Sequence, residues 1–172
     1  MPLFNIGFVI FPDLTQLDFT GPLQVLSRLP QSATHIVAKS PAPVPSDCGL
    51  GLVPTHTFAN CPPLDLICIP GGSEGVAGII NDRRIRPSAI VLGVAGLLKG
   101  RRATTHWAYT DLLPLVGATY EKARVVKDGN VITGGGVTAG IDFGLSVIAE
   151  IAGENLAVGA KEVMSAFEVK RI

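Results

Sequence analysis

Apolar residues in this chain fall in short runs broken by glycine and proline, alternating with segments that repeat at three- and four-residue spacing. Phe4 to Phe11 is one such run, closed by Pro12, and it predicts a buried first strand. In the next segment Asp18 and Thr20 are cap-type residues and Pro22 suits a first helical turn. Leu23, Leu26 and Leu29 then recur at helical spacing up to Pro30. Thr34 to Ala38 predicts a second strand, and the proline-rich stretch Ser40 to Cys48 an irregular connection. Leu64 to Ile69 is a further strand that runs straight into Pro70-Gly71-Gly72-Ser73-Glu74-Gly75. Ser88 to Leu98 and Trp107 to Val116 read as helices, the second with Leu112, Leu113 and Val116 inward. Arg124 to Lys127 and Val131 to Thr133 flank Asp128-Gly129, a hairpin signal. After Gly134-Gly135-Gly136, Ala139 to Ala152 predicts a helix, with Ile141, Leu145, Ile148 and Ile151 at near-helical spacing. A last amphipathic stretch runs from Glu154 to about Phe167.

Buried strands alternating with helices predict an α/β fold, an open and mainly parallel sheet covered on both faces. Ligands of such sheets sit at the carboxyl ends of the strands. Three loops follow predicted strands there: the one holding Asp18, the Gly71-Gly72 turn, and the Gly134 to Gly136 turn. They are candidates to meet in one crevice.

Composition narrows the picture. The 172 residues fit one domain, 1–172, around one core. With 47% hydrophobic and 16% charged residues, the chain is expected to be ordered. Its 14 basic and 14 acidic residues leave no electrostatic footprint for nucleic acid. No secretory leader and no membrane span are expected. Cys48, Cys61 and Cys68 show no C-x-x-C spacing, and their odd number argues for free thiols in a reducing, cytoplasmic setting rather than structural zinc.

The candidate chemistry is modest. A strand followed by Gly71-Gly72 aims backbone N–H groups into open space, as an oxyanion or anion nest does; alternatively the glycines only supply positive φ for a tight turn. Asp18, between Leu17 and Phe19, is a candidate general acid if burial raises its pKa, or simply a helix N-cap. Thr104-Thr105-His106 sets hydroxyls beside an imidazole at a helix start, where capping and packing are the plainer roles. His35 and His56 have no partner in sequence. Cys68 belongs to a buried strand and should be inert; Cys61 and Cys48 are loop thiols without a base. No Walker loop and no G-x-G-x-x-G are present. The residues therefore offer donors and an acid, but no nucleophile.

Four segments together resemble the isonitrile hydratases of the ThiJ/PfpI superfamily: IGFVIFPDLTQLDFTGPLQVL from Ile6, CPPLDLICIPGG from Cys61, VLGVAGLLKGRRATTHWAYTDLLPLVGA from Val91, and DGNVITGGGVTAGIDFGL from Asp128. The resemblance implies a flavodoxin-like three-layer sandwich and a homodimer. It implies hydration of an isonitrile, a small and largely apolar molecule, to an N-substituted formamide, with no metal or organic cofactor. Asp18 matches the family's acidic residue, a proton donor or orienter. Gly72 matches its backbone donor, and Thr105 and His106 a supporting segment.

One departure is large. The family carries a helix and a central strand ahead of VLGVAGLL, and that strand ends in a Cys-Thr-Gly turn. Here Asn81-Asp82-Arg83-Arg84-Ile85-Arg86-Pro87-Ser88 stands in its place, with the cysteine's position near Arg86. The chain is thus expected to lack one central strand, its helix and the nucleophile. Thr105 or Ser73 would replace the thiol only with an activating base, and none is evident. The residues after about Gly153 are also unlike the family. Two alternatives remain: a non-catalytic small-molecule sensor, similar to the N-terminal domains of AraC-type regulators, and a protease or deglycase activity, which needs the same absent cysteine.

Overall fold

The structure is a computed structural model and describes residues 3–72 and 88–165. Its centre is a four-stranded parallel sheet in the order β5 (His56–Thr57), β2 (Ser32–Ala38), β1 (Phe4–Val9), β6 (Leu66–Cys68). Strand β1 lies inside, with Ile6 opposite Thr34 on one side and Leu66 on the other. Among the described residues, nothing pairs with the outer edge of β6. The α/β architecture with a parallel sheet is the one the hydrophobic pattern predicts.

Side chains alternate across a strand, so Ile6 and Phe8 share a face, and both are buried. Helices α1 (Gln16–Leu26) and α3 (Gly140–Ala152) supply Val25, Leu26, Val147 and Ile148 to the same core. Helix α4 (Glu154–Ser165) adds Ala157 and Ala160. Each buried Val, Leu or Ile contributes roughly 1.5–3 kcal/mol. The approach of α1 to α3 depends on small residues one turn apart. A Cβ on Gly144 would stand 2.8 Å from Val25 Cβ, and one on Gly140 3.1 Å from Pro22 Cδ.

A second, smaller core gathers Ala89, Leu98, Ala103, Leu113 and Ala118. It involves α2 (Ser88–Val94) and β7 (Arg102–Ala103), which pairs in parallel with β8 (Thr119–Tyr120). The expected hairpin is present: β9 (Val125–Asp128) and β10 (Val131–Gly134) pair antiparallel, and Gly129 turns at φ +61°. Arg101 Nη1 donates to the Asp128 carbonyl at 2.7 Å, and Arg102 N to Asp128 Oδ2 at 2.8 Å, tying β7 to the hairpin.

Several expectations need correction. Helix α1 begins at Gln16 after Thr15, which makes no side-chain cap, so Asp18 lies within the first turn and Pro22 inside the helix. The stretch 40–48 is not wholly irregular, because β3 (Val44–Pro45) pairs antiparallel with β4 (Gly51–Leu52). The predicted helix over 107–116 is two short 3-10 pieces, Trp107–Leu112 and Pro114–Val116. Tyr109 is non-helical at φ −133°, Pro114 lacks an N–H, and Gly117 turns left-handed at φ +75°. Leu113 is nevertheless buried, with Leu112 and Val116 against its cluster. Helix α2 stops at Val94, short of Leu98. In α3, Ile148 reaches the core, whereas Ile141 and Ile151 are exposed.

Candidate functional site

A cleft of about 320 Å³ opens at the carboxyl ends of β6, β7 and β10. The residues just beyond those strands line it: Gly71 and Gly72 after β6, Thr105 and His106 after β7, and Gly136 after β10. Asp18 enters from α1. The three loops singled out in the sequence thus do converge. Phe8, Ile67, Leu92, Ile132 and Phe143 make the walls largely apolar. Ile67, on the sheet edge, is 53% exposed at this opening.

Asp18 is not an N-cap. Its Oδ2 accepts a hydrogen bond from Gly71 N–H at 3.2 Å, across 53 residues of sequence. Burial raises its pKa above the ordinary 3.8, and the nearby Asp47 carboxylate adds to the rise; the Gly71 N–H and the charge of His106 oppose it. The result is a carboxyl that keeps its proton to higher pH than an exposed aspartate does.

Positive φ is not what calls for glycine in this turn. Neither Gly71 nor Gly72 has positive φ. Gly72 is required by close approach: it forms an antiparallel bridge with Leu14, and a Cβ there would lie 2.8 Å from the Asp13 carbonyl oxygen. The N–H seen on Asp18 belongs to Gly71, not Gly72. The neighbouring Gly71 carbonyl accepts from Thr15 N–H at 2.8 Å, which locks the turn onto α1.

The hydroxyl pair divides its roles. Thr104 is structural, donating from Oγ1 to the Ala123 carbonyl and from its N–H to Thr133 Oγ1, both at 2.9 Å. Thr105 is buried, and its Oγ1 has no hydrogen-bond partner among the described residues. His106 Nδ1 accepts from Ala108 N–H at 3.3 Å, so the neutral ring carries its proton on Nε2. Its ring packs on Trp107 and Tyr109.

Cys68 is buried, as expected, but it also lines this cleft, which the sequence reading missed. Burial pushes its thiol up to about 12, so it is neutral and poorly nucleophilic. Cys48 is exposed and hydrogen-bonded with Ser46 Oγ at 3.4 Å. Ser73 and Arg86 lie outside the described residues. His35 and His56 do have partners: they stack edge to face at 4.9 Å, with His35 Nε2 on Asn5 Oδ1, away from the cleft. Phe8, Tyr109 and Phe143 were not foreseen as cleft residues, because no local pattern marks which core-type side chains border a cavity.

An apolar cleft at the strand ends, with an acid, a hydroxyl and an imidazole at its rim, defines an α/β protein built around a small-molecule site. Comparison with known proteins agrees. The model of the DJ-1/PfpI family matches residues 84–150. Isonitrile hydratase from Pseudomonas putida is 51% identical over 170 residues, 89% of this chain and 74% of that one. A crystal structure of a ThiJ/PfpI family protein from Pseudomonas syringae superposes with TM-score 0.87 at 40% identity, covering 99% of this chain and 78% of that chain. The transcriptional regulator CdhR of Pseudomonas aeruginosa is 29% identical over 92% of this chain, which spans only 54% of the regulator. The chain belongs to the DJ-1/PfpI family, on its isonitrile hydratase branch.

Proposed function

We propose that the cleft takes a small, largely apolar molecule such as an isonitrile, and that the protein retains the binding half of a hydratase while lacking the nucleophile for efficient turnover. Hydration adds water across the terminal carbon of R–NC and gives R–NH–CHO. That needs a proton donor and a nucleophile at the carbon. Asp18, its pKa raised by burial and its Oδ2 seated on Gly71 N–H, supplies the first. The observation that carries the second half is Cys68: the thiol lining the cleft is pushed up to about 12 and stays protonated. In this reading Gly72 is the backbone donor, and Thr105 and His106 have supporting roles. The resemblance further implies a homodimer without metal or organic cofactor, in the cytoplasm. Exposed apolar side chains such as Trp107 and Leu115 give such a dimer a surface to cover.

The test is an isonitrile hydration assay on the purified chain, following formamide, with Asp18→Asn in parallel. The expected result is ligand-induced stabilisation with formamide production at background. Clear turnover that vanishes in Asp18→Asn would show that the cleft works without the cysteine of a Cys-Thr-Gly turn. A second reading, a ligand-sensing module, is favoured by the match to CdhR. Binding without turnover, combined with ligand-dependent association with a DNA-binding partner, would select it.

A further inference from the structure

Thr105 poses a problem that its neighbours do not. It is only 3% exposed, it lines the cleft, and its Oγ1 has no hydrogen-bond partner among the described residues. Buried hydroxyls are nearly always partnered, because leaving one unmade forfeits its hydration. Thr104, one residue earlier and equally buried, satisfies the rule with the Ala123 carbonyl. Two other polar side chains of the cleft are partnered. Asp18 accepts from Gly71 N–H, and His106 Nδ1 accepts from Ala108 N–H. No Lys or Arg is among the described residues lining the cleft, so an anion there would meet the Asp18 carboxyl without a permanent cation beside it.

We propose that Thr105 is a positioning residue whose hydroxyl holds the polar head of a neutral small molecule, a secondary formamide or amide, while the apolar body rests on Phe8, Ile67 and Phe143. An amide head both accepts and donates. Its carbonyl takes the Thr105 hydroxyl proton, and its N–H faces the Asp18 carboxyl. This inference rests on the reading of the cleft as the ligand site, and it names the class of ligand. A second hollow, bounded by Trp107, Tyr120, Lys122 and Arg124, is also lined by Thr105. Its cations would favour an anionic ligand, so the charge of the ligand separates the two sites.

The experiment is calorimetric titration of the full chain with N-cyclohexylformamide, cyclohexanecarboxylate and cyclohexylammonium, in wild type, Thr105→Val and Thr105→Ser. The formamide should bind wild type in preference to both ions. One hydrogen bond's net worth corresponds to about five- to tenfold weaker binding in Thr105→Val, with Thr105→Ser within about twofold of wild type. Without ligand, Thr105→Val should melt no lower than wild type, because it removes an unpartnered hydroxyl and keeps the shape. A hydroxyl with a purely structural role would instead lower the melting temperature and leave affinity unchanged. Equal formamide affinity in wild type and Thr105→Val overturns the proposal, as does carboxylate binding at least as tightly as the formamide. Failure of the folded wild type to bind the formamide overturns it too. If isonitrile still stabilises the protein while Thr105 is silent, only the positioning role fails. If neither isonitrile nor formamide binds, the reading of the cleft fails with it.

Discussion

Asp18 joins two kinds of observation, a long-range hydrogen bond and a burial cost, and they make a pH prediction. Desolvation raises its pKa above 3.8, so the folded chain holds that proton more tightly than the unfolded chain does. The stability this contributes is full below the unfolded value. It is lost as pH climbs from about 4 through the raised folded pKa. Asparagine keeps an oxygen to accept from Gly71 N–H but has no proton to lose. Asp18→Asn should therefore gain in melting temperature relative to wild type as pH rises through that window, even though it removes the acid that the proposed chemistry needs. Thermal melts of both proteins at a series of pH values check this. Parallel curves would mean that the carboxyl titrates alike in both states.

At the scale of the element, the meeting of α1 and α3 is the contact most open to test. Gly144 faces Val25 so closely that an added methyl would lie 2.8 Å from Val25 Cβ. Gly144→Ala should cost about 1–3 kcal/mol by overpacking, despite alanine's better helix propensity. Val25→Ala removes the methyls at 3.0 and 3.4 Å but keeps the Cβ at 2.8 Å, so it should recover only a minor part of that loss in the double variant. Urea denaturation of the four proteins gives the coupling, and a purely additive pair would remove the steric explanation. The same contact shows what the sequence could and could not convey. Helix α3 was legible from its spacing, yet its buried face runs through Gly144, Val147 and Ile148 rather than Ile141 and Ile151. Hydrophobic spacing finds an amphipathic helix but gives no weight to a glycine chosen for close approach. Pro22 and Asp18 misplaced the start of α1 for a related reason. Cap preferences are local, whereas Asp18 is held by a turn 53 residues away. The 107–116 segment carried its own breakers, Pro114 and Gly117, and its inward leucine was correct even where its helix type was not. Asp18, the glycine turns and Thr105-His106 were legible as candidates because each follows a strand. The orphan state of Thr105 and the place of Cys68 beside the cleft were not, since both depend on tertiary neighbours.

For the molecule as a whole, the decisive feature is that two apolar clusters flank one cleft. The larger is built on β1, α1, α3 and α4, and includes Ile6, Phe8, Val25, Leu26 and Ile148. The smaller contains Leu98 and Leu113, but its other buried members are the alanines at 89, 103 and 118. Burial stabilises in proportion to apolar area, so the alanine-rich cluster gains less per residue. Its secondary structure is correspondingly short, with two-residue strands and 3-10 turns. Sub-global opening should begin there. The amides of Leu113 and Ala118 are hydrogen-bonded, to the carbonyls of Thr110 and Leu113, and so report on it by hydrogen exchange. They should exchange through openings of lower free energy than the amides of Ile6 and Phe8 in β1. A ligand in the cleft touches both sides, through Phe8 from the larger cluster and Ala89 and Leu92 from the smaller. Saturating ligand should therefore narrow the gap, protecting Leu113 and Ala118 more than β1, because binding energy opposes any opening that breaks the site. Equal protection of both groups without ligand would show that the two clusters unfold as one unit. A gap that ligand leaves unchanged would place the bound molecule away from the smaller cluster's wall.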